Sequence, residues 1–242
     1  MINQVRNTVL AIVNKNNYGY ITPADFNLYA EQAQLDLFED YFYQFNVTVN
    51  LENTRRSGSS YADIKKGIEE VIDGFSVTAN LTQDANNVYL LPVENLPPGG
   101  AYYLVNKIIY NNTEVERVNQ SKITYLLYSN LTAPTTMFPA YTLEGNKVTI
   151  YPSSIQGATD ISAQYIRYPF TPKWTYQTLS GGEALFDPNQ ADFQDFELPI
   201  SDMYTLVTKI LQYAGISIRE KEVYQFAQAE QIEQDKQENQ TT

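Results

Sequence analysis

The chain has 242 residues, 43% of them hydrophobic, which is enough to bury the core of one large domain or two small ones. It contains no cysteine and no histidine, which excludes disulfides, thiolate chemistry and the usual general base near neutral pH. The net charge of −12 argues against tight nucleic-acid binding, because such binding depends on Lys and Arg at the phosphates.

The N-terminus predicts neither secretion nor membrane insertion. It lacks a basic start and a small-residue cleavage site, and no stretch of the chain approaches the roughly 18 consecutive apolar residues of a membrane span. We therefore expect synthesis in the cytoplasm and no membrane partner.

Two helices are predicted at the start of the chain, over residues 2–14 and 22–45. The second has a strong start signal, with Thr22 as N-cap, Pro23 at the first helical position and Asp25 closing a capping box. Its apolar residues form two stripes, which predicts burial on two sides. One interpretation is a central core helix; the other is a helix that packs inward on one side and on a neighbouring subunit on the other.

Residues 47–59 read as a polar connector, and Ser60 with Asp63 predicts a third helix, ending near Asp73. The connector and this helix contain the only basic cluster of the chain: Arg55, Arg56, Lys65 and Lys66. It is interpreted either as a solvated surface cluster or as a contact patch for an acidic partner or a passing phosphate backbone.

From Phe75 to about Tyr168 the pattern changes to that of strands. Asn111-Asn112 and Gly145 predict tight turns between them. Residues 121–128 fit either a short helix or a strand, and the single tryptophan, Trp174, is expected to anchor the exit of this region. Residues 175–196 read as a long acidic loop whose spacing departs from that of a calcium loop, so no metal is predicted there.

The C-terminal segment predicts a helix followed by a polar arm. Pro199 suits the first turn of a helix over residues 200–214, and Gly215 is the expected stop. Ser217 with Glu220 would cap a second helix. After Ala229 this helix is too polar to fold on its own core, so it reads either as a disordered tail or as an arm that docks on another chain. The expected interface anchors are Tyr224, Phe226 and Ile232.

Helices at both ends with strands between them predict an α+β fold, in which N- and C-terminal helices form one domain with an inserted antiparallel β domain. The expected parts are an N-terminal helical part (1–74), a β-rich insertion (75–193) and C-terminal helices with an extended polar arm (194–242), the last packing with the first.

Two stretches resemble the neck proteins of short-tailed phages. The first is VERVNQSKITYLLYSNLTAPTTMFPAYTLEGNKVTIYPSS followed by IRYPFTPKW, and the second is FELPISDMYTLVTKILQYAGISIREKEVYQFAQAEQ. Together they cover about residues 114–174 and 196–232. They resemble tail adaptors, or head-to-tail connectors, including the ring proteins of crAss-like phages.

The resemblance implies a virion protein of the neck or tail, made in the host cytoplasm. It implies a ring, twelve-fold in this family, that joins the portal to the tail, contacts other tail or ring proteins and carries DNA through its channel without specific binding. The family's functional parts are surfaces, so no catalytic, cofactor or metal residue is carried over.

The residues themselves give little support for an enzyme. There is no phosphate loop, no nucleophile elbow and no zinc-ligand spacing, and neither a cofactor nor a catalytic residue is predicted. A host- or glycan-binding tail module is the alternative. A ring adaptor accounts better for the terminal helices and the long polar tail, because each subunit must lock onto its neighbours.

Overall fold

The computed structural model describes residues 1–15, 21–54, 62–97, 99–157 and 159–218. The chain divides into two compact units, a helical unit (Met1–Val71 with Pro169–Thr242) and a β unit (Ile72–Tyr168). The predicted α+β class is confirmed. The segment 169–193, which the sequence placed with the strands, belongs to the helical unit.

The described residues contain five α-helices and one short 3-10 turn, Ile200–Asp202. The helices are α1 (Ile2–Lys15), α2 (Pro23–Thr54), α3 (Ala62–Asp73), α4 (Gln120–Leu127) and α5 (Met203–Ile218). None of them is long and apolar enough to cross a membrane.

The start of α2 follows the predicted capping signal. The backbone N–H of Asp25 donates to Thr22 Oγ1 at 3.1 Å, and Thr22 Oγ1 donates to the Asp25 carboxylate at 2.6 Å. The helix does not end near Phe45, however, but continues to Thr54. The prediction was short because residues 46–50 are three β-branched residues flanked by Asn, all of which have weak helix propensity.

Helix α5 is the central helix of the helical unit. Every residue from Leu206 to Leu211 is buried, and the helix packs against both α1 and α2. The predicted stop at Gly215 was wrong, as was the predicted cap at Ser217, because α5 continues through both to Ile218. Gly215 is itself buried. Packing on two helices therefore outweighs the roughly 1 kcal/mol that glycine costs inside a helix.

The β unit is an eight-stranded sheet in the order β1-β8-β4-β5-β6-β7-β3-β2. All neighbouring pairs are antiparallel except β5 and β6, which run parallel. The strands are β1 (Ser76–Asn80), β2 (Thr82–Ala85), β3 (Val88–Leu90), β4 (Tyr102–Tyr110), β5 (Thr113–Arg117), β6 (Ala140–Glu144), β7 (Lys147–Tyr151) and β8 (Ile161–Arg167).

The two edge strands of this sheet, β1 and β2, are separated in sequence by Leu81 alone. The sheet therefore curls until its two edges meet at that residue, which is buried and whose N–H donates to the Ile161 carbonyl at 3.0 Å. The enclosed side chains form one apolar core around Tyr89, Tyr141 and Tyr165.

The predicted turns of the β unit are confirmed. Asn111 and Asn112 adopt positive φ angles of 45° and 62°, and Gly145 adopts 59° in the β6–β7 hairpin. The stretch that fitted either helix or strand is the helix α4. The expected acidic loop is partly a hairpin, formed by β9 (Tyr176–Thr178) and β10 (Ala184–Phe186), with Gly182 at a φ of 85° between them.

Candidate assembly surfaces

Trp174 organises the interior of the helical unit. Its ring is buried and stacks with Tyr176 and Phe186, at centroid distances of 5.5 and 5.8 Å. The guanidinium of Arg6, from α1, lies 3.7 Å from the ring centroid. Trp174, which was expected to anchor the exit of the β region, is thus packed by an Arg on α1 and by the β9–β10 hairpin.

Two asparagines fix the position of Trp174. The indole Nε1 donates to Asn3 Oδ1 at 3.1 Å, and the backbone N–H donates to Asn27 Oδ1 at 2.9 Å. The side-chain amide of Asn27 in turn donates to the Trp174 carbonyl at 3.3 Å. Both α1 and α2 are therefore bonded to the segment that follows Tyr168, through polar side chains whose partners lie far away in sequence.

A buried glutamine on α2 makes a second link of this kind. Gln34 Nε2 donates to the Phe170 carbonyl at 2.8 Å, and Gln34 Oε1 accepts from the Glu197 N–H at 3.0 Å. Glu197 accepts from the Phe170 N–H at 2.7 Å. One side chain thus joins both ends of the segment 170–197 to α2.

Asp195 provides the acceptor for the first backbone N–H of α1. The backbone N–H of Ile2 donates to Asp195 Oδ1 at 2.7 Å. A carboxylate at this position accepts from an N–H group that has no partner inside the helix and interacts favourably with the helix dipole.

Carboxylates on α2 face α5. Lys209 is buried and pairs with Asp40 at 3.2 Å and with Asp36 at 4.0 Å. Tyr213 donates to Asp36, and its pKa is raised chiefly by burial and also by this carboxylate. The buried ammonium is tolerated because two carboxylates compensate it.

These pairs also give the direction and extent of the α2–α5 contact. Tyr41 donates to Asp202 at 2.5 Å, whereas Tyr213, at the other end of α5, reaches Asp36. The two helices are therefore antiparallel, and α5 begins at the level of Tyr41. Since α2 continues to Thr54, its last third extends beyond the start of α5.

The part of α2 beyond Tyr41 carries apolar side chains at the surface. Tyr43 is 70% exposed and Val47 is 37% exposed, in contrast to Phe26, Ala30 and Leu37, which are buried. We call Tyr43 and Val47 the distal α2 face. Most members of the two predicted apolar stripes are buried in the first half of the helix, where Leu28 is exposed and Leu35 is half-buried, and the members in the second half, Tyr41, Phe42 and Phe45, are half-buried. Tyr43 and Val47 belong to neither stripe.

The β unit has a second apolar surface, in the connection between the parallel strands β5 and β6. Ile123 and Leu126 of α4 pack on a small cluster with Val118 and Ala140. The connection from Gln120 to Pro139 exposes most of its other large side chains, and we call the five most exposed the crossover face: Tyr125, Tyr128, Leu131, Met137 and Phe138.

The predicted interface anchors Tyr224, Phe226 and Ile232 lie outside the described residues, as do Arg55 and Arg56. Lys65 and Lys66 lie in α3. Lys66 is exposed and 3.9 Å from Glu70, one helical turn on. An exposed pair of this spacing contributes little to stability.

Sequence reasoning missed the crossover face. A signal was present, because no acidic residue occurs in the 27 positions between Glu116 and Glu144, the longest such stretch in the chain. All five residues of the crossover face lie within it, with hydrophobic spacing too irregular to show which residues of the stretch are buried.

Over the described ranges, no three acidic side chains are grouped so that they could hold a metal ion. No protein-family model matches the sequence, and no curated protein matches it.

Proposed function

We propose that the protein is a subunit of a head-to-tail connector ring, which joins the portal of a short-tailed phage to its tail. The support is the resemblance of two stretches to such neck proteins, together with surfaces suited to contact between subunits. The partners in this proposal are copies of the same chain, the portal and other tail or ring proteins, and the location is the neck of the virion.

The distal α2 face is the observation that carries the proposal. A helix of 32 residues is about 48 Å long, whereas α5, with 16 residues, covers about 24 Å. The excess length leaves Tyr43 and Val47 without cover from α5. Aromatic side chains are enriched at protein interfaces, where a ring can be buried while its hydroxyl finds a polar partner.

The charge of the chain suits a channel through which DNA moves. Duplex DNA binds proteins non-specifically through Lys and Arg at the phosphates. Twenty-eight acidic residues against sixteen basic ones leave a net charge of −12, which disfavours such contacts. DNA would therefore pass such a ring without being retained.

The distal α2 face can be tested by replacing Tyr43 and Val47 with serine in the full chain. We expect the double variant to assemble only at concentrations at least about tenfold higher, because truncated interface anchors commonly cost 2 kcal/mol or more. Sedimentation velocity over a wide concentration range measures the effect, and circular dichroism checks that both units remain folded.

Leu28→Ser is the matched control, because Leu28 is 55% exposed on the first half of the same helix. It should assemble like the unchanged chain. Equal assembly of all three proteins would remove the distal α2 face from the interface, and an unchanged chain that stays monomeric at every concentration would contradict the ring itself.

A further inference from the structure

We infer that the crossover face of one subunit packs against an acidic surface of the next copy of the chain. The contact is heterologous, joining two different surfaces. This inference rests on the proposed ring, and it names a contact within that ring which the resemblance does not supply.

The crossover face is held in place before any partner binds. After α4, the Ala133 N–H donates to the Ser129 carbonyl at 3.0 Å, and the Thr132 N–H donates to Ser129 Oγ at 3.3 Å. Thr135 and Phe138 exchange backbone hydrogen bonds of 3.1 and 3.2 Å. Leu131 and Phe138 are therefore displayed on hydrogen-bonded turns, which lowers the entropy cost of ordering them in an interface.

The exposed apolar area of the crossover face is comparable to that buried in a protein–protein interface. Tyr125, Tyr128 and Phe138 are 81%, 86% and 77% exposed, and Leu131 is 96% exposed. Three aromatic side chains at such exposure present on the order of 500 Å². With Leu131 and Met137 the total approaches the roughly 800 Å² that each partner buries in a standard interface.

The charged residues in and beside the crossover segment favour an acidic partner. The crossover segment Gln120–Pro139 contains one charged residue, Lys122, and Arg117 precedes it. A shallow groove of about 490 Å³ is lined by Arg117 and Lys122, by Glu116, and by Tyr125 and Leu126. The two cations exceed the one carboxylate, which favours a partner with an excess of carboxylates, and a second copy of the chain, at −12, supplies that excess.

The same charges disfavour a symmetric pairing of two crossover faces. Each of the two crossover segments would contribute Lys122 and no carboxylate to such a contact. An asymmetric contact avoids this repulsion. Contacts between two different surfaces generate closed rings when the rotation closes, which is the geometry that a connector needs.

The inference can be tested directly with a fluorescent label, because the chain contains no cysteine. An environment-sensitive dye is attached to Thr132→Cys, in the crossover, or to Ser154→Cys, an exposed position outside it. On assembly of the full chain we expect a blue shift of the dye at 132 and none at 154. Assembled protein without a shift at 132, or with equal shifts at both positions, would overturn the inference and leave the ring standing.

A pair of variants tests the energetics. Leu131→Ser with Phe138→Ser should raise the concentration needed for assembly at least about tenfold. Val93→Ser with Leu96→Ser, two other exposed apolar residues of the same unit, should not. Lys122→Glu removes the attraction between Lys122 and carboxylates of the next copy. It should therefore weaken assembly most at low salt, where that attraction is least screened.

Three outcomes separate the possible failures. If the unchanged chain never assembles, the proposed ring fails and the inference with it. If the chain assembles but the crossover double variant assembles equally well, only the inference fails. Binding of the unchanged chain, but not of that variant, to phosphatidylcholine vesicles, with assembly unaffected, would assign the face to a lipid surface and overturn the inference.

Discussion

The two units of the molecule are stabilised in different ways. In the helical unit, polar side chains join residues far apart in sequence: Gln34 bonds across 136 positions to Phe170, and Trp174 bonds across 171 positions to Asn3. The β unit encloses an apolar core inside a sheet that contains three hairpins between neighbouring strands. The helical unit therefore combines packing around Trp174 with polar links between distant residues, and the β unit relies mainly on the packing of its enclosed core.

The units also differ in charge. The β unit has 7 acidic and 5 basic residues, a net charge of −2, so most of the −12 of the chain belongs to the helical unit. In a ring, a nearly neutral unit with an apolar face and a strongly acidic unit provide two unlike surfaces. The difference between the units is thus itself suited to asymmetric contacts between copies.

The largest expected effect is that of Trp174→Ala, which removes the central ring of the helical unit. We expect the free energy of unfolding to fall by about 3–5 kcal/mol, since the cavity would be lined by groups that now stack on the indole. Urea unfolding followed by circular dichroism at 222 nm measures it, because the variant lacks the only tryptophan. A loss below about 1 kcal/mol would show that Trp174 is peripheral.

Gln34→Leu tests how much the polar links, as distinct from packing, contribute to the stability of the same unit. The leucine fills similar space but leaves the Phe170 carbonyl and the Glu197 N–H without their partner, which should cost about 1–3 kcal/mol. Tryptophan fluorescence during urea unfolding reports on this unit alone, because Trp174 lies in it. Gln32→Leu, an exposed position on the same helix, should change stability by less than about 0.5 kcal/mol.

Tyr89→Phe makes the corresponding change in the β unit. Tyr89 is buried in the core and its hydroxyl donates to the Gly157 carbonyl at 2.9 Å. Because the ring packing is kept, we expect a loss of only about 0.5–1.5 kcal/mol. Hydrogen exchange of the sheet amides measures this change, and a loss larger than that from Gln34→Leu would reverse the proposed contrast between the units.

The smallest expected effect is a pH dependence of stability at Asp202. Burial raises the pKa of this carboxyl above 3.8, while hydrogen bonds from Tyr41 and Ser201 oppose the shift. Its protonation therefore favours folding below the unfolded pKa, and this contribution is lost as the pH rises through the folded pKa. Asp202→Asn removes the titration, so the variant should gain stability relative to the unchanged chain as the pH rises.

Asp187→Asn should show the opposite sign. The backbone N–H of Asn189 and the side chain of Gln177 lower the pKa of Asp187, so its contribution to stability is present above pH 3.8 and is lost as the pH falls through the folded pKa. The variant should therefore lose stability relative to the unchanged chain as the pH rises. Urea unfolding at about pH 3 and about pH 7 compares the two variants, and slopes of the same sign would contradict both assignments.

Local signals predicted the local features of the fold. The cap at Thr22, the turn at Asn111-Asn112 and the hairpin at Gly145 each depend on a few neighbouring residues, and each is observed. Predictions failed where contacts between residues far apart in sequence determine the structure. Gly215, for example, lies inside α5 because α1 and α2 pack on that helix. The environment of Trp174 likewise depends on Asn3 and Asn27, which no local pattern connects to it.

The candidate surfaces could be predicted only in part. The two apolar stripes of α2 were visible in the sequence, but the point where burial ends depends on where α5 begins, at Asp202 beside Tyr41. The crossover face depends on which side of α4 packs on the sheet. The predicted anchors Tyr224, Phe226 and Ile232 lie outside the described residues and remain predictions.

Electron microscopy of the purified full chain at high concentration tests the proposed ring most directly. The proposal predicts closed rings with a central opening and, by the family resemblance, twelve subunits. Single subunits in every image, or open filaments in place of closed rings, would contradict it.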